Sequence, residues 1–376
     1  MPTLMTPTEL SASLAVPDLT DPGVVPDHAL QMLIKLVRRA LSSHWNSHIQ
    51  TLRTPPMVPV ENNYDRLNYP ADGAARDARY TRYVTDRYLL RTQTSSAVPD
   101  ALAGQHGHPP PDWLLMLPGM VYRRDSIDRL HCAEPHQLDL WRVVDHRIQR
   151  PLTTDDLQGM VQIIMSALVP GREWRLLPSP HPYTLNGMQI DVYWQDQWIE
   201  VGECGIGHPS LLKAAYLNHH SSLAMGLGLD RLLMIRKDLP DIRLLRHPDY
   251  RIQEQMQDLS RYRPVSNQPS VQRDLSLVVD MNADEETLGD LIRRSCSDVH
   301  QIESLSVIDE SPYEALPPKA IERLGISNGQ KNVLLRLVLR NLNETLTAEQ
   351  ANAIRNRVYR TLHQGQVVSL AENREG

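Results

Sequence analysis

Two arginine-bearing segments, far apart along the chain, constrain its fold more than any other feature. Gly119 to Asp139 reads GMVYRRDSIDRLHCAEPHQLD, a strand-like run with arginines that opens into a charged loop. Gly226 to Arg231 reads GLGLDR and runs directly into the apolar, helix-like LLMI. A guanidinium is planar, permanently charged and forked, so one arginine from each of two elements can grip a polyphosphate without a Walker loop. The same charges can neutralise negative charge that develops during attack at an α-phosphorus. A chain that uses both must fold back until residues 123 and 231 share a cleft.

Composition narrows the setting. With 376 residues there is room for one large domain and a second of about a hundred residues. No apolar run approaches the ~20 residues needed to cross a bilayer, so no membrane role is expected. Acids and prolines, with no arginine before Arg38, argue against a transit peptide, and no signal-peptide core is visible. Cys132, Cys204 and Cys296 are too few and too scattered for a disulfide framework or a zinc site, which points to a reducing cytoplasm. A net charge of -6 disfavours a protein that coats nucleic acid, but not an enzyme that touches RNA through local patches. The chain contains no phenylalanine at all; tyrosine and tryptophan take the aromatic positions.

Residues 1–26 are rich in proline and threonine and are expected to form a flexible leader. Asp27 is the predicted N-cap of a helix with Leu30, Leu33, Ile34, Val37 and Leu41 on one face, ended by TPPMVP at 54–59. Between Leu114 and Ile235, MVYRR, QLDLWRVVD, MQIDVYW and WIEVGEC read as neighbouring antiparallel strands. A helix over 154–169 directs Leu157, Val161, Ile164 and Leu168 inward. A linker over 261–269 divides a domain at 27–260 from one at 270–370, with a tail at 371–376. In the second domain, strand 274–280, helix 285–296, strands 302–309 and 332–340, helix 347–362 and strand 366–370 spell βαββαβ, a ferredoxin-like unit. Thr347 and Gln350 form a capping box for its last helix, and the acidic run Asp284, Glu285, Glu286 serves a helix N-terminus. His219 and His220 are adjacent, cannot easily face one ion together, and read as solvated surface.

From about residue 30 to 363 the chain resembles the phenylalanyl-tRNA synthetases in their single-chain layout, a catalytic core like the α subunit followed by a ferredoxin-fold anticodon-binding domain. The blocks occur in the family's order. NNYDRLNYPADGAARD and LLRTQTS resemble the segment leading into the active site, and VYRRDSIDRLH with PHQLD resembles motif 2 of the class II synthetases. HPYT at 181–184 resembles the loop that holds the amino-acid side chain, WIEVGECGIGHP the strand bearing a metal-binding acid, and GLGLDRLLMIR motif 3. VQRDLSL and NLNETLTAEQ resemble parts of the anticodon-binding domain. The resemblance implies an α+β fold, with a class II antiparallel sheet flanked by helices and a C-terminal ferredoxin-like domain. It implies attack of phenylalanine on ATP to give phenylalanyl-adenylate, then transfer to the terminal ribose of tRNA(Phe), with Mg²⁺ accompanying ATP.

Site roles follow from the same resemblance. Arg123 and Arg231 are the catalytic arginines, and ATP is contacted by Arg123, His131, Gln137, Asp139, Gly226, Gly228 and Arg231. Gln93, Ser95, Gln137, His181, Tyr183 and Glu203 surround the amino acid, and Glu200 is the Mg²⁺ ligand. Read without the resemblance, Arg123 could be half of a surface ion pair, and Glu200 could face solvent opposite Ile199 and Val201. The sequence departs from the family where its glutamate is Asp139, its following glycine is Leu140, a further glycine is Glu203, and two pocket phenylalanines are His181 and Tyr183. A polar pocket points to another amino acid, but a chain purged of phenylalanine would show the last two changes without any change of substrate. Two other functions stand beside the ligase: an adenylate-forming paralogue that acylates a non-tRNA acceptor, and an inactive tRNA-binding paralogue. A monomer is expected, because the usual heterotetramer contacts have no evident partner.

Overall fold

The computed structural model describes residues 4–105, 107–124, 126–265, 268–341 and 344–368. The chain divides into two compact units, the first formed by Met1–Arg123 and Glu134–Tyr262, the second by Arg124–Ala133 and Arg263–Gly376.

The first unit contains strands β1 (His48–Thr51), β2 (Met57–Pro59), β3 (Tyr88–Leu90), β4 (Asp112–Met120), β5 (His136–Asp145), β6 (Trp174–Pro178), β7 (Thr184–Trp194), β8 (Gln197–Gly207) and β9 (His220–Gly228). Among the described residues, seven of them make one sheet in the order β1-β4-β5-β9-β8-β7-β6. All its pairings are antiparallel except β1 with β4. Strands β2 and β3 form a separate ribbon.

Period-2 alternation gives the sheet two different faces. Leu138, Leu140, Met225 and Leu227 are buried on one. Helix Ala29–His44 buries Leu30, Leu33, Val37 and Leu41, helix Thr154–Leu168 buries Leu157, Val161, Ile164 and Leu168, and the two helices pack together. Helix Leu229–Lys237 continues directly from β9. Its Lys237 is fully buried, and its ammonium donates to the Asp258 carboxylate at 3.1 Å and the Ser260 carbonyl at 2.7 Å, so the charge is satisfied.

Two expectations at the N-terminal end differ from the structure. The helix is capped by His28, whose Nδ1 accepts the Leu30 N–H, while Asp27 takes φ +56° one residue earlier. Residues 1–26 were expected to be flexible; instead Pro7–Ala15 is a helix with a Thr6/Glu9 capping box. The chain after it is tied down by Arg53, which donates to the Thr20 hydroxyl at 2.9 Å, and by Arg246, which donates to the Pro17 carbonyl at 2.6 Å.

The second unit pairs β10 (Val271–Asp280), β11 (Ile302–Pro312) and β12 (Gln330–Leu339) in the antiparallel order β10-β12-β11. Leu275, Leu277, Val279, Val333, Leu335 and Leu337 alternate inward against helices Glu285–Ser295 and Ala348–Leu362. Asp284 caps the first of these through the Thr287 N–H, and Thr347 with Gln350 caps the second. A short helix, Pro318–Leu324, lies between β11 and β12; Pro318 is its first residue, a place where proline needs no N–H partner. No strand forms over the described part of 366–370, and residues 369 and 370 lie outside the described residues, as does the tail 371–376. The insertion Arg124–Ala133 packs with this unit: Ile127 joins its core, and its carbonyl accepts the Leu305 N–H at 2.9 Å.

Candidate active site

The face of the large sheet away from those two helices is floored by small residues and rimmed by charge. Register makes this explicit: Asp139 pairs with Gly226, Gly226 with Glu203, and Glu203 with Gln189. Paired residues on adjacent strands point to the same face, so Asp139 and Glu203 flank Gly226. A Cβ at Gly226 would meet nothing within 4 Å, so this is open floor. One step along, Gln137 pairs with Gly228 and with Gly119.

Glu200 reaches the same face through a bulge. Glu203 pairs with Gln189, Gly202 with Ile190 and Glu200 with Asp191, so Val201 is an extra residue in β8. Gln189 and Asp191 share a face, and Glu200 therefore joins Glu203, three positions away, where a regular strand would oppose them. Its carboxyl is held above the ordinary range by loss of water and by Glu203, with Arg231 and Arg123 pulling the other way. Both guanidinium groups thus lie within electrostatic reach of one carboxylate. Arg231 donates to the Glu200 carbonyl at 3.0 Å, and Arg123 Nε to the Thr92 carbonyl at 2.9 Å.

The segment 91–95 crosses the end of this face. Arg91 is buried and donates to the carbonyls of Met120 and Thr54 at 2.9 and 3.0 Å. It lies over Gly119, where an added Cβ would come within 2.1 Å of Nη2. Gly119→Ala is therefore expected to displace a buried guanidinium and lower stability by about 2 kcal/mol or more, read as a fall in thermal midpoint. Gln93 is also committed to the fold: it accepts from the Tyr69 hydroxyl at 3.0 Å and donates to the Asn63 carbonyl at 2.9 Å. Gln137 accepts the Thr94 N–H at 3.2 Å.

Ser95 donates to the carboxylate of Asp139, which also accepts the Trp141 indole N–H at 3.0 Å. Asp139 is buried, and burial pushes its carboxyl up to about 7; the Ser95 and Trp141 hydrogen bonds oppose this, and Glu203 adds to it. Tyr183 is enclosed by the rings of His181, Trp141 and Tyr69 at centroid separations of 6.1, 6.4 and 6.1 Å. Its hydroxyl is raised well above the usual range by burial and by negative neighbours. His181 Nε2 stands 2.9 Å from Glu203 Oε1, so the added acid and the changed pocket residue meet each other.

The first unit thus assembles Gln93, Ser95, Arg123, Gln137, Asp139, His181, Tyr183, Glu200, Glu203, Gly226, Gly228 and Arg231. His131 belongs to the second unit, where its Nδ1 lies 2.6 Å from Asp128. Leu140, a departure from the resembled pattern, is fully buried on the opposite face and takes no part in the pocket. Sequence reasoning missed Tyr69, Arg91 and Trp141. The alternation Asp139, Trp141, Val143 would have placed Trp141 beside the acid. Of the adjacent histidines, His219 is exposed, but His220 is half-buried.

A sheet of this topology carrying one arginine before the β4–β5 insertion and one after β9 defines a class of ATP-using enzyme, the class II synthetase core. Residues 27–256 match the family described as tRNA synthetases class II core domain (F), and residues 266–370 match the ferredoxin-fold anticodon binding domain. The chain belongs to the class II aminoacyl-tRNA synthetases. It is 32% identical over 241 residues to the phenylalanine--tRNA ligase alpha subunit of Nostoc punctiforme, covering 63% of this chain and 70% of that protein. It is 26% identical over 313 residues to the chloroplastic/mitochondrial phenylalanine--tRNA ligase of Arabidopsis thaliana, covering 81% of this chain and 68% of the relative. Among the described residues no helix is long and apolar enough to cross a membrane.

Proposed function

We infer that this protein is a phenylalanine--tRNA ligase. The observation that carries the reading is one sheet face on which Arg231 is bonded to the Glu200 carbonyl, with Arg123 within electrostatic reach of the Glu200 carboxylate, beside a pocket built from Asp139, Ser95 and aromatic rings. The amino-acid carboxylate attacks the α-phosphorus of ATP, the α–β bridging bond breaks, and pyrophosphate leaves. Arg123 holds the α-phosphate and the attacking carboxylate, so its charge counters the charge of the five-coordinate phosphorus. Arg231 holds the polyphosphate tail. Asp139 and Gln137 hold the amino group, and the rings of Tyr183 and His181 face the side chain. The acyl group then passes to the terminal ribose of tRNA(Phe), with the second unit contributing the anticodon contact. The union of both domains in one chain favours a monomer, and the three free cysteines suit a reducing cytoplasm.

The residues present suit Mg²⁺. Glu200 would offer the ion one hard carboxylate oxygen, which suits a cation that keeps part of its water. Bound there, the ion neutralises phosphate charge. Glu200→Gln is expected to raise the Mg²⁺ concentration for half-maximal exchange several-fold, with the circular dichroism spectrum unchanged.

The chain's lack of phenylalanine belongs to the same reading. Its translation never draws on the aminoacyl-tRNA it makes, which suits an enzyme produced when that product is scarce. The test is ATP–pyrophosphate exchange with each of the twenty amino acids. Phenylalanine is expected to give the highest rate; activation of tyrosine or another amino acid with phenylalanine inert would overturn the assignment.

A further inference from the structure

His136 and Asp230 stand one residue before Gln137 and Arg231, and they are locked to each other. The Asp230 carboxylate accepts the His136 backbone N–H at 2.5 Å and the Nδ1–H at 2.8 Å. His136 Nε2 accepts from Arg246 Nη2 at 2.9 Å and from the Leu19 N–H at 3.2 Å. With two donors on Nε2, Nδ1 is the ring's donor, and it donates to Asp230. Arg246 also donates to the Pro17 carbonyl, and the Asp18 carboxylate accepts the Met120 N–H at 3.1 Å, at the end of the strand that leads to Arg123. His136 and Asp230 are buried. Burial alone would raise the Asp230 carboxyl, but His136 and Arg246 outweigh it and hold it low, so the charge persists inside.

His136 points away from the site face on which Gln137 lies, as consecutive strand residues must. Asp230 is likewise turned ~100° around its helix from Arg231. We propose that His136 is a positioning residue, and that Pro17–Thr20 forms with it, Asp230 and Arg246 a clasp that fixes the stretches carrying Arg123, Gln137 and Arg231 relative to one another. The clasp rests on the ligase reading for its purpose, and part of it comes from residues that precede the class II core match at 27–256.

The test uses the full-length chain with Arg246→Gln, Arg246→Lys and Asp18→Asn. ATP binding is measured by calorimetry without amino acid, alongside exchange kinetics and the thermal midpoint. Arg246→Gln is expected to weaken ATP binding and raise the ATP KM about tenfold, because small misplacements of binding groups carry large penalties. The amino-acid KM should change by less than about twofold, since the Asp139–Ser95 contact is untouched. Arg246→Lys keeps the charge without the fork and should fall between, and Asp18→Asn should shift ATP in the same direction by less. Unchanged ATP constants in a folded variant overturn the clasp; so does a fall in midpoint with both KM values rising together, which marks a scaffold alone. If Arg246→Gln does not fold, Asp18→Asn decides. A wild-type chain that binds no ATP sinks the ligase reading and the clasp with it, whereas equal binding by wild type and variants sinks the clasp only.

Discussion

Arg123→Ala is expected to slow amino-acid-dependent ATP–pyrophosphate exchange roughly 10²–10³-fold, the scale on which removal of one preorganised charge-stabilising donor acts. Arg123 follows Tyr122, whose N–H donates to the Arg91 carbonyl, and its own Nε is fixed on the Thr92 carbonyl, so the guanidinium plane is set before substrate arrives. Group and carbonyl are held by backbone on both sides, which keeps reorganisation during reaction small. The side chain is only half-buried. Its loss should cost about 1 kcal/mol of stability for one hydrogen bond, a shift of about 2–4 °C in a unit of this size. Arg123→Lys retains charge and loses the fork, so it should recover part of the rate. Exchange that proceeds at the wild-type rate in Arg123→Ala would remove Arg123 from the catalytic step and leave that residue a binding role at most.

The presence of both arginines proposed to hold phosphate speaks against an inactive paralogue, and the matched anticodon-binding family at 266–370 speaks against a non-tRNA acceptor. Removal of a domain that a small-molecule acylase has no use for is the simpler course for such an enzyme.

What the sequence conveyed and what it withheld separate along physical lines. Local periodicity placed the strands QLDLWRVVD and WIEVGEC, the helix with Leu30, Leu33, Val37 and Leu41, and the capping box at Thr347, because each depends on neighbours within a few residues. The bulge at Val201 depends on register with β7, and no pattern in WIEVGEC announces it; read as a regular strand, Glu200 and Glu203 oppose each other. The docking of Pro17–Thr20 depends on His136 and Arg246, more than a hundred residues away, so a stretch of low apolar content looked free. Asp27 is the favoured cap by residue type, yet it takes a positive φ and His28 caps the helix in its place. Gly119 gave no sign of its role until Arg91 was seen lying over it. The meeting of Glu203 with His181 was equally hidden: two departures from one pattern proved to be a single contact.

Affinity for the amino acid is expected to rise with pH through about 7, and Asp139 is the cause. Burial raises its carboxyl to about 7, against an ordinary value of 3.8. Below that pH the group is neutral and offers no charge to an ammonium, so binding must expel a proton; KM for the amino acid should fall about tenfold per pH unit until the plateau. Stability runs the opposite way. A carboxyl raised in the folded state contributes stability that is complete below about pH 4 and is lost as pH rises through about 7, because the unfolded chain ionises first. The loss for an isolated buried acid with this shift is on the order of 4 kcal/mol. Asp139→Asn keeps the shape, cannot ionise, and should hold its thermal midpoint steady between pH 5 and 8, where the wild type declines. It should also abolish the pH dependence of KM while raising KM itself, since the ammonium loses its counter-charge. Measured together across that range, a wild-type KM that stays flat while Asp139→Asn leaves it unchanged would remove Asp139 from the amino-group contact and leave it as a buried acid of the fold.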